Sequence, residues 1–183
     1  MSPRRLVYLT PEVVEELAQE IAQDLYGPTG FVLLGSTGQA ALESAVYCIR
    51  LKEYRTIFIQ AAALFRSLIV NHPWLDGNKR LGTCATFLVA NGRTLLMPDP
   101  ALTQLALSVA EGVSRVRLGT LARILKRFSI EPEMATSAID VVVADSLATA
   151  LAWGMTVESA AEEINDKLAI LDRYALRLQA ESS

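Results

Sequence analysis

The chain has 183 residues, of which 51% are hydrophobic, with a mean hydropathy of +0.30 and a formal net charge of −3. That composition excludes an intrinsically disordered chain and supplies enough apolar surface for one domain with an appendage. Two cysteines, Cys48 and Cys84, lack metal-type spacing and exclude a disulfide framework; no apolar signal core follows Arg4 and Arg5, and no run approaches the roughly eighteen apolar residues of a membrane span, so a soluble cytoplasmic protein is expected.

Thr10 has the side chain of a helix N-cap and Pro11 suits the first helical position, with Glu12, Glu15 and Glu16 in the early turns. Val13, Val14, Leu17, Ile21 and Leu25 recur at helical spacing until Gly27 and Pro28 end the run. Residues 27–38 hold four glycines, which predicts a buried loop or short extended piece around Phe31 to Leu34. A second helix is predicted over Gln39–Arg50. A third covers Arg55–Asn71, where Ile57, Phe58, Ala61, Leu64, Phe65, Leu68 and Ile69 mark a wide buried stripe. Asn78–Ala90 reads as another apolar helix, with Leu81, Ala85, Leu88 and Val89 at core spacing and Asn91-Gly92 as its stop. Pro98-Asp99-Pro100 precedes an amphipathic helix to about Val113, and Leu118–Phe128 makes a further one. No convincing period-two alternation occurs, so the predicted fold class is all-α.

From Glu131 the charge reverses. Residues 1–130 carry 14 Lys+Arg and 10 Asp+Glu, net +4, whereas residues 131–183 carry 3 and 10, net −7. The expected organisation is a body over 1–130 and an acidic helical extension over 131–183. Ile139, Val142, Val143, Leu147 and Leu151 predict one helix of the extension, stopped by Trp153-Gly154. Val157, Ala160, Ala161, Ile164, Leu168, Leu171 and Leu178 predict a longer one. Both stripes need a partner surface, either within the bundle or in a homo-oligomer. Trp153-Gly154-Met155-Thr156 also has the look of a helix-turn-helix turn, but an acidic face is wrong for a phosphate backbone. Lys126 and Arg127 are candidate docking points for the acidic extension, or else a solvated charge pair.

The chemistry concentrates in His72-Pro73-Trp74-Leu75-Asp76-Gly77-Asn78-Lys79-Arg80, which holds the single histidine of the chain. An imidazole titrating near about 6.5 suits a general base. Asp76 is a hard oxygen ligand of the kind Mg2+ accepts beside nucleotide phosphates. Gly77 allows a sharp turn and close backbone approach, and the helix opening after it offers free N–H groups and a positive dipole end to an anion. Asn78 adds an amide donor. Lys79 and Arg80 are cations placed against that dipole, an arrangement an anionic ligand would offset. The same residue types also make ordinary turns; the alternative to a phosphate site is a plain loop.

This string resembles the signature of the Fic/Doc family, and its Asn78-Lys79-Arg80 is similar to the Doc (death-on-curing) branch, which has Lys where the AMP-transferring Fic branch has Gly. Tyr8-Leu9-Thr10, Leu42-Glu43-Ser44-Ala45, the Ala-rich helix before the string and Phe87-Leu88-Val89-Ala90-Asn91-Gly92 extend the likeness over about residues 6–128. Trp74 stands in place of the usual Phe as the loop's apolar anchor, its indole N–H then needing a partner, and Leu81 replaces a Thr common in Doc-like proteins.

The resemblance implies a Fic-like helical bundle, here with an additional C-terminal helical extension, acting as the toxin of a toxin-antitoxin system. It implies phosphoryl transfer from ATP, with Mg2+, to a hydroxyl of translation elongation factor Tu. His72 would be the base, Asp76 the metal ligand, and Gly77, Asn78, Lys79 and Arg80 the nucleotide-binding groups, Arg80 also stabilising transition-state charge. Thr83 occupies the position of the AMP branch's second Arg, which favours the kinase over the alternative, protein AMP transfer. A non-catalytic Fic-fold nucleotide-binding or interaction module is the other alternative. Implied partners are the protein substrate and either an acidic antitoxin or the chain's own tail, with DNA reached only through an antitoxin. Ser159 and Glu163 match the Ser/Thr-x-x-x-Glu spacing of the family's inhibitory helix, although Ile164 stands where that pattern has Gly or Asn.

Overall fold

The structure is a computed structural model that describes residues 6–16, 35–51, 53–71, 87–88, 91–111, 117–131 and 134–181, with side chains as far as residue 169. Helix α1 covers residues 11–16. The Thr10 hydroxyl accepts the Val13 N–H at 3.4 Å and the Thr10 carbonyl accepts the Val14 N–H at 2.9 Å, as expected of an N-cap. Glu12 is held below the ordinary carboxylate range by its own backbone N–H and, secondly, by the Thr10 hydroxyl. The apolar positions Leu17, Ile21 and Leu25 lie outside the described residues.

Helix α2 spans Gly35–Cys48. It begins four residues before the predicted start at Gln39, so Gly35 to Gly38 are helical rather than part of a loop; the predicted extended piece at Phe31 to Leu34 lies outside the described residues. Two glycines in that turn lower helix propensity and mask the start. Gly38 is buried, and burial against neighbouring elements overrides the propensity.

Helix α3, Ile57–Asn71, is the centre of the body. Gln60 to Phe65, Leu68 and Ile69 are all buried, which is what a helix apolar on nearly every side requires. It packs against α2, α5 (Asp99–Ala110) and α6 (Leu118–Arg127). Leu42, Ala45 and Val46 of α2, Ala101 and Leu102 of α5, and Leu121, Ala122 and Leu125 of α6 complete one continuous apolar cluster with α3. Residues 87–88 are helical (α4), and Phe87 and Leu88 are fully buried in the same cluster. The predicted stop at Asn91-Gly92 is present. Gly92 has φ +70, and the Arg93 N–H reaches back to the Leu88 carbonyl at 2.8 Å, satisfying an orphan carbonyl of the last turn.

Among the described residues the fold is all-α apart from one small antiparallel ribbon, which local sequence pattern does not foretell. β1 (Thr94–Leu95) pairs with β2 (Ser129–Ile130), Thr94 opposite Ile130 and Leu95 opposite Ser129. Two residues per strand are too few to display a period of two.

Helices α7 (Thr136–Ala152) and α8 (Val157–Glu181) form a hairpin. Gly154, at φ +83, ends α7 with the Met155 N–H on the Ala150 carbonyl at 3.1 Å, and Thr156 starts α8 by accepting the Ser159 N–H at 3.2 Å. A second apolar cluster of Leu96, Val142 and Ile164, flanked by Ile130, Met134, Val143, Leu147 and Leu168, lies between hairpin and ribbon. Part of each predicted stripe is left uncovered: Leu151 and Val157 are 45% and 55% exposed. Among the described residues no helix is long and apolar enough to cross a membrane.

Candidate active site and its supports

The sequence places the candidate chemistry immediately after α3, whose last residue is Asn71. His72, Trp74, Asp76, Gly77, Asn78, Lys79 and Arg80 lie outside the described residues, as do Leu81 and Thr83. The supports on either side of them are described. Leu68 and Ile69, in the last turns of α3, are buried against the body, and the Asn71 amide donates to the Ser67 hydroxyl at 3.1 Å one turn earlier. The Cys48 thiol donates to the Ala45 carbonyl at 3.2 Å, and burial, partly offset by the Ser67 hydroxyl, pushes its pKa up. Cys48 thus suits an inert packing role. On the far side, Phe87 and Leu88 are inaccessible to solvent. Buried apolar residues at the end of α3 and in α4 therefore flank residues 72–86 in the sequence.

Two polar residues tie the amino-terminal segment to these helices. The Gln60 amide, buried at the start of α3, donates to the Tyr8 hydroxyl at 2.9 Å and to the Tyr54 carbonyl at 3.0 Å. Asn91 bonds both backbone groups of Val7 and the Phe87 carbonyl. Arg50 donates to the Leu9 carbonyl at 3.2 Å and lies over the rings of Tyr8 and Tyr47, at 5.3 and 5.0 Å from their centroids.

The two candidate regulatory residues are described. Ser159 is exposed in the first turn of α8. Glu163 points inward: its Oε1 accepts the Asp99 N–H at 2.9 Å, at the start of α5, and lies 2.6 Å from the Lys167 ammonium. Lys167 was not singled out from sequence, yet it is the most buried charged group described, 5% exposed, with the Asp99 carboxylate at 2.6 Å and the Met97 carbonyl at 2.7 Å. The signal for it was the spacing of Glu163 and Lys167, i and i+4 with the acid first. Of the two predicted docking cations, Arg127 grips Asp145 of α7 with both ends of its guanidinium, at 2.8 and 3.0 Å, while Lys126 stays exposed. Among the described residues no group of three or more His, Cys, Asp or Glu side chains could hold a metal.

No curated protein and no solved structure matches the chain. Residues 8–90 match the model of the Fic/DOC family, a stretch that runs from Tyr8 in the segment before α1 through α2 and α3 to Ala90, takes in the whole of His72 to Arg80, and stops short of the ribbon and the hairpin.

Proposed function

We propose that this chain is a Doc-like toxin that transfers the γ-phosphoryl group of ATP to a hydroxyl on elongation factor Tu. The observation that carries this reading is the string His72 to Arg80, with Lys79 and Thr83 where AMP-transferring relatives have Gly and Arg, lying inside the matched segment and directly after its central buried helix. His72 takes the proton of the acceptor hydroxyl as its oxygen forms a bond to the γ-phosphorus. The bond from that phosphorus to the bridging oxygen breaks, and ADP leaves. Gly77 and Asn78 supply N–H donors to the phosphates, and Lys79 and Arg80 balance their charge. Such a transfer depends on positioning and electrostatics more than on covalent help from the protein. Asp76 is the residue to hold Mg2+, which when bound neutralises phosphate charge. The net +4 body suits neutralisation by an acidic antitoxin segment.

The test is intact-mass analysis of elongation factor Tu after incubation with this protein, ATP and Mg2+. A gain of one phosphate, lost with His72→Ala, is the expected result. A gain of AMP makes the chain a protein AMP-transferase, and no gain with any acceptor while ATP still binds makes it a non-catalytic module.

A further inference from the structure

The α7–α8 hairpin meets the body across a small apolar cluster in which Leu96, Val142 and Ile164 are the fully buried members. Apolar contact of this kind fixes orientation poorly, because hydrophobic contact is non-directional. Lys167 supplies the direction. Its ammonium donates hydrogen bonds to the Met97 carbonyl and the Glu163 carboxylate, and the Asp99 carboxylate lies 2.6 Å away as an ion-pair partner whose Oδ1 accepts no hydrogen bond. Glu163 is shared, since the same oxygen accepts the Asp99 N–H and so caps an α5 helix that has no side-chain cap of its own at Pro98. One α8 residue pair thus closes both the hairpin contact and the first turn of α5. Undocking would leave three charges and a free helix end to rearrange together, so the contact is made or broken as a unit.

We infer that the hairpin is a latch on the start of α5, closed by Lys167, and that the closed latch braces the active segment. The path is short. α5 packs directly on α3, and α3 ends at Asn71, one residue before His72. This inference rests on the transferase reading for its effect on activity but not for the latch itself. It also assigns Glu163 to the brace, the opposite sign from an inhibitory helix: opening the latch lowers transfer, whereas releasing an inhibitor raises it.

The experiment is amide hydrogen exchange on the full chain and on Lys167→Met, with transfer measured on the same samples. Lys167→Met leaves two carboxylates facing each other, so exchange should accelerate about a hundredfold in residues 97–102 and in α8, with α3 still protected. Transfer should fall with it. Glu163→Gln keeps an acceptor for the Asp99 N–H and should show the same pattern, weaker; it serves as the readout if Lys167→Met does not fold. Unchanged exchange in both variants overturns the latch. Accelerated exchange with raised transfer overturns the brace and makes the hairpin an inhibitor. Absence of transfer in the wild type overturns the transferase reading and with it the bracing of catalysis, while the exchange pattern still decides the latch.

Discussion

Asn91 holds Val7 by both of its backbone groups: the side-chain oxygen accepts the Val7 N–H at 2.9 Å and the amide donates to the Val7 carbonyl at 3.0 Å, across 84 residues of sequence. These two residues flank the segment that matches the Fic/DOC family, residues 8–90. The matched segment is therefore closed at its ends by one side chain acting as a stretch of sheet partner would. Three bonds converge on Asn91, counting its donation to the Phe87 carbonyl. With a typical net contribution of about 0.5–1.5 kcal/mol each at partly exposed sites, Asn91→Leu should cost roughly 1–3 kcal/mol. Urea denaturation with an unchanged m-value is the check; a variant as stable as wild type would show that the clamp is incidental.

Gly154 offers a cleaner backbone test. A Cβ there would meet nothing within 4 Å, so only its φ of +83 resists substitution. Gly154→Ala should lower stability by about 1–2 kcal/mol, and Gly154→Asn by less, because Asn tolerates the left-handed region. A melting series over the two variants reads the difference. Equal losses would point to a packing role instead.

The Arg127–Asp145 pair makes a prediction about pH. The guanidinium hydrogen bonds hold the Asp145 carboxyl below its ordinary value of 3.8, with burial acting weakly in the opposite sense. A carboxylate depressed in the folded state contributes stability that is present above 3.8 and is lost as the pH falls through the lowered folded value. Carbon-detected NMR titration of Asp145 should therefore give a midpoint below 3.8 that returns toward it in Arg127→Gln. The pair is exposed, so salt should shrink the shift.

Nucleotide binding can be separated from chemistry. At ATP concentrations near a hundred times Kd, mass action should stabilise the fold by about 2.7 kcal/mol, visible as a rise in melting temperature. His72→Ala should keep that rise while losing transfer, since the imidazole is assigned to the acceptor hydroxyl rather than to the phosphates. Loss of the thermal shift in His72→Ala would reassign the histidine to binding.

The central helix tests the support of the site. Phe65 is fully buried in the main cluster, and Phe65→Ala should cost about 3–5 kcal/mol, a large fraction of the about 5–15 kcal/mol by which a typical domain is stable. Its soluble fraction and circular dichroism measure this directly.

Much of the fold was readable in short stretches of sequence because the forces that set helix ends are local. Thr10, Gly92, Gly154 and Thr156 each start or stop a helix through partners within five residues. The α2 start was misplaced by the glycines at 35 and 38, of which Gly38 is buried, so that burial outweighs propensity there, while Gly35 is exposed. The β1–β2 ribbon went unseen because pairing between residues 94 and 130 leaves no local trace in two-residue strands.

For the candidate site, sequence by itself determined the ordered set of groups, His72 to Arg80, and their position at the end of an apolar helix, since residue chemistry and spacing need no fold to be recognised. Only the tertiary structure decided which apolar positions are covered. A periodic stripe marks Leu151 and Val157 as candidates for burial, but it carries no information about whether a partner surface exists, and both are largely exposed. Only the tertiary structure, too, brought Lys167 to Met97, 70 residues away, and turned a helix-surface spacing of Glu163 and Lys167 into a buried junction with Asp99. The reason is range: caps and periodicity act over one or two turns, whereas a buried charge finds its acceptors only after distant helices have packed around it.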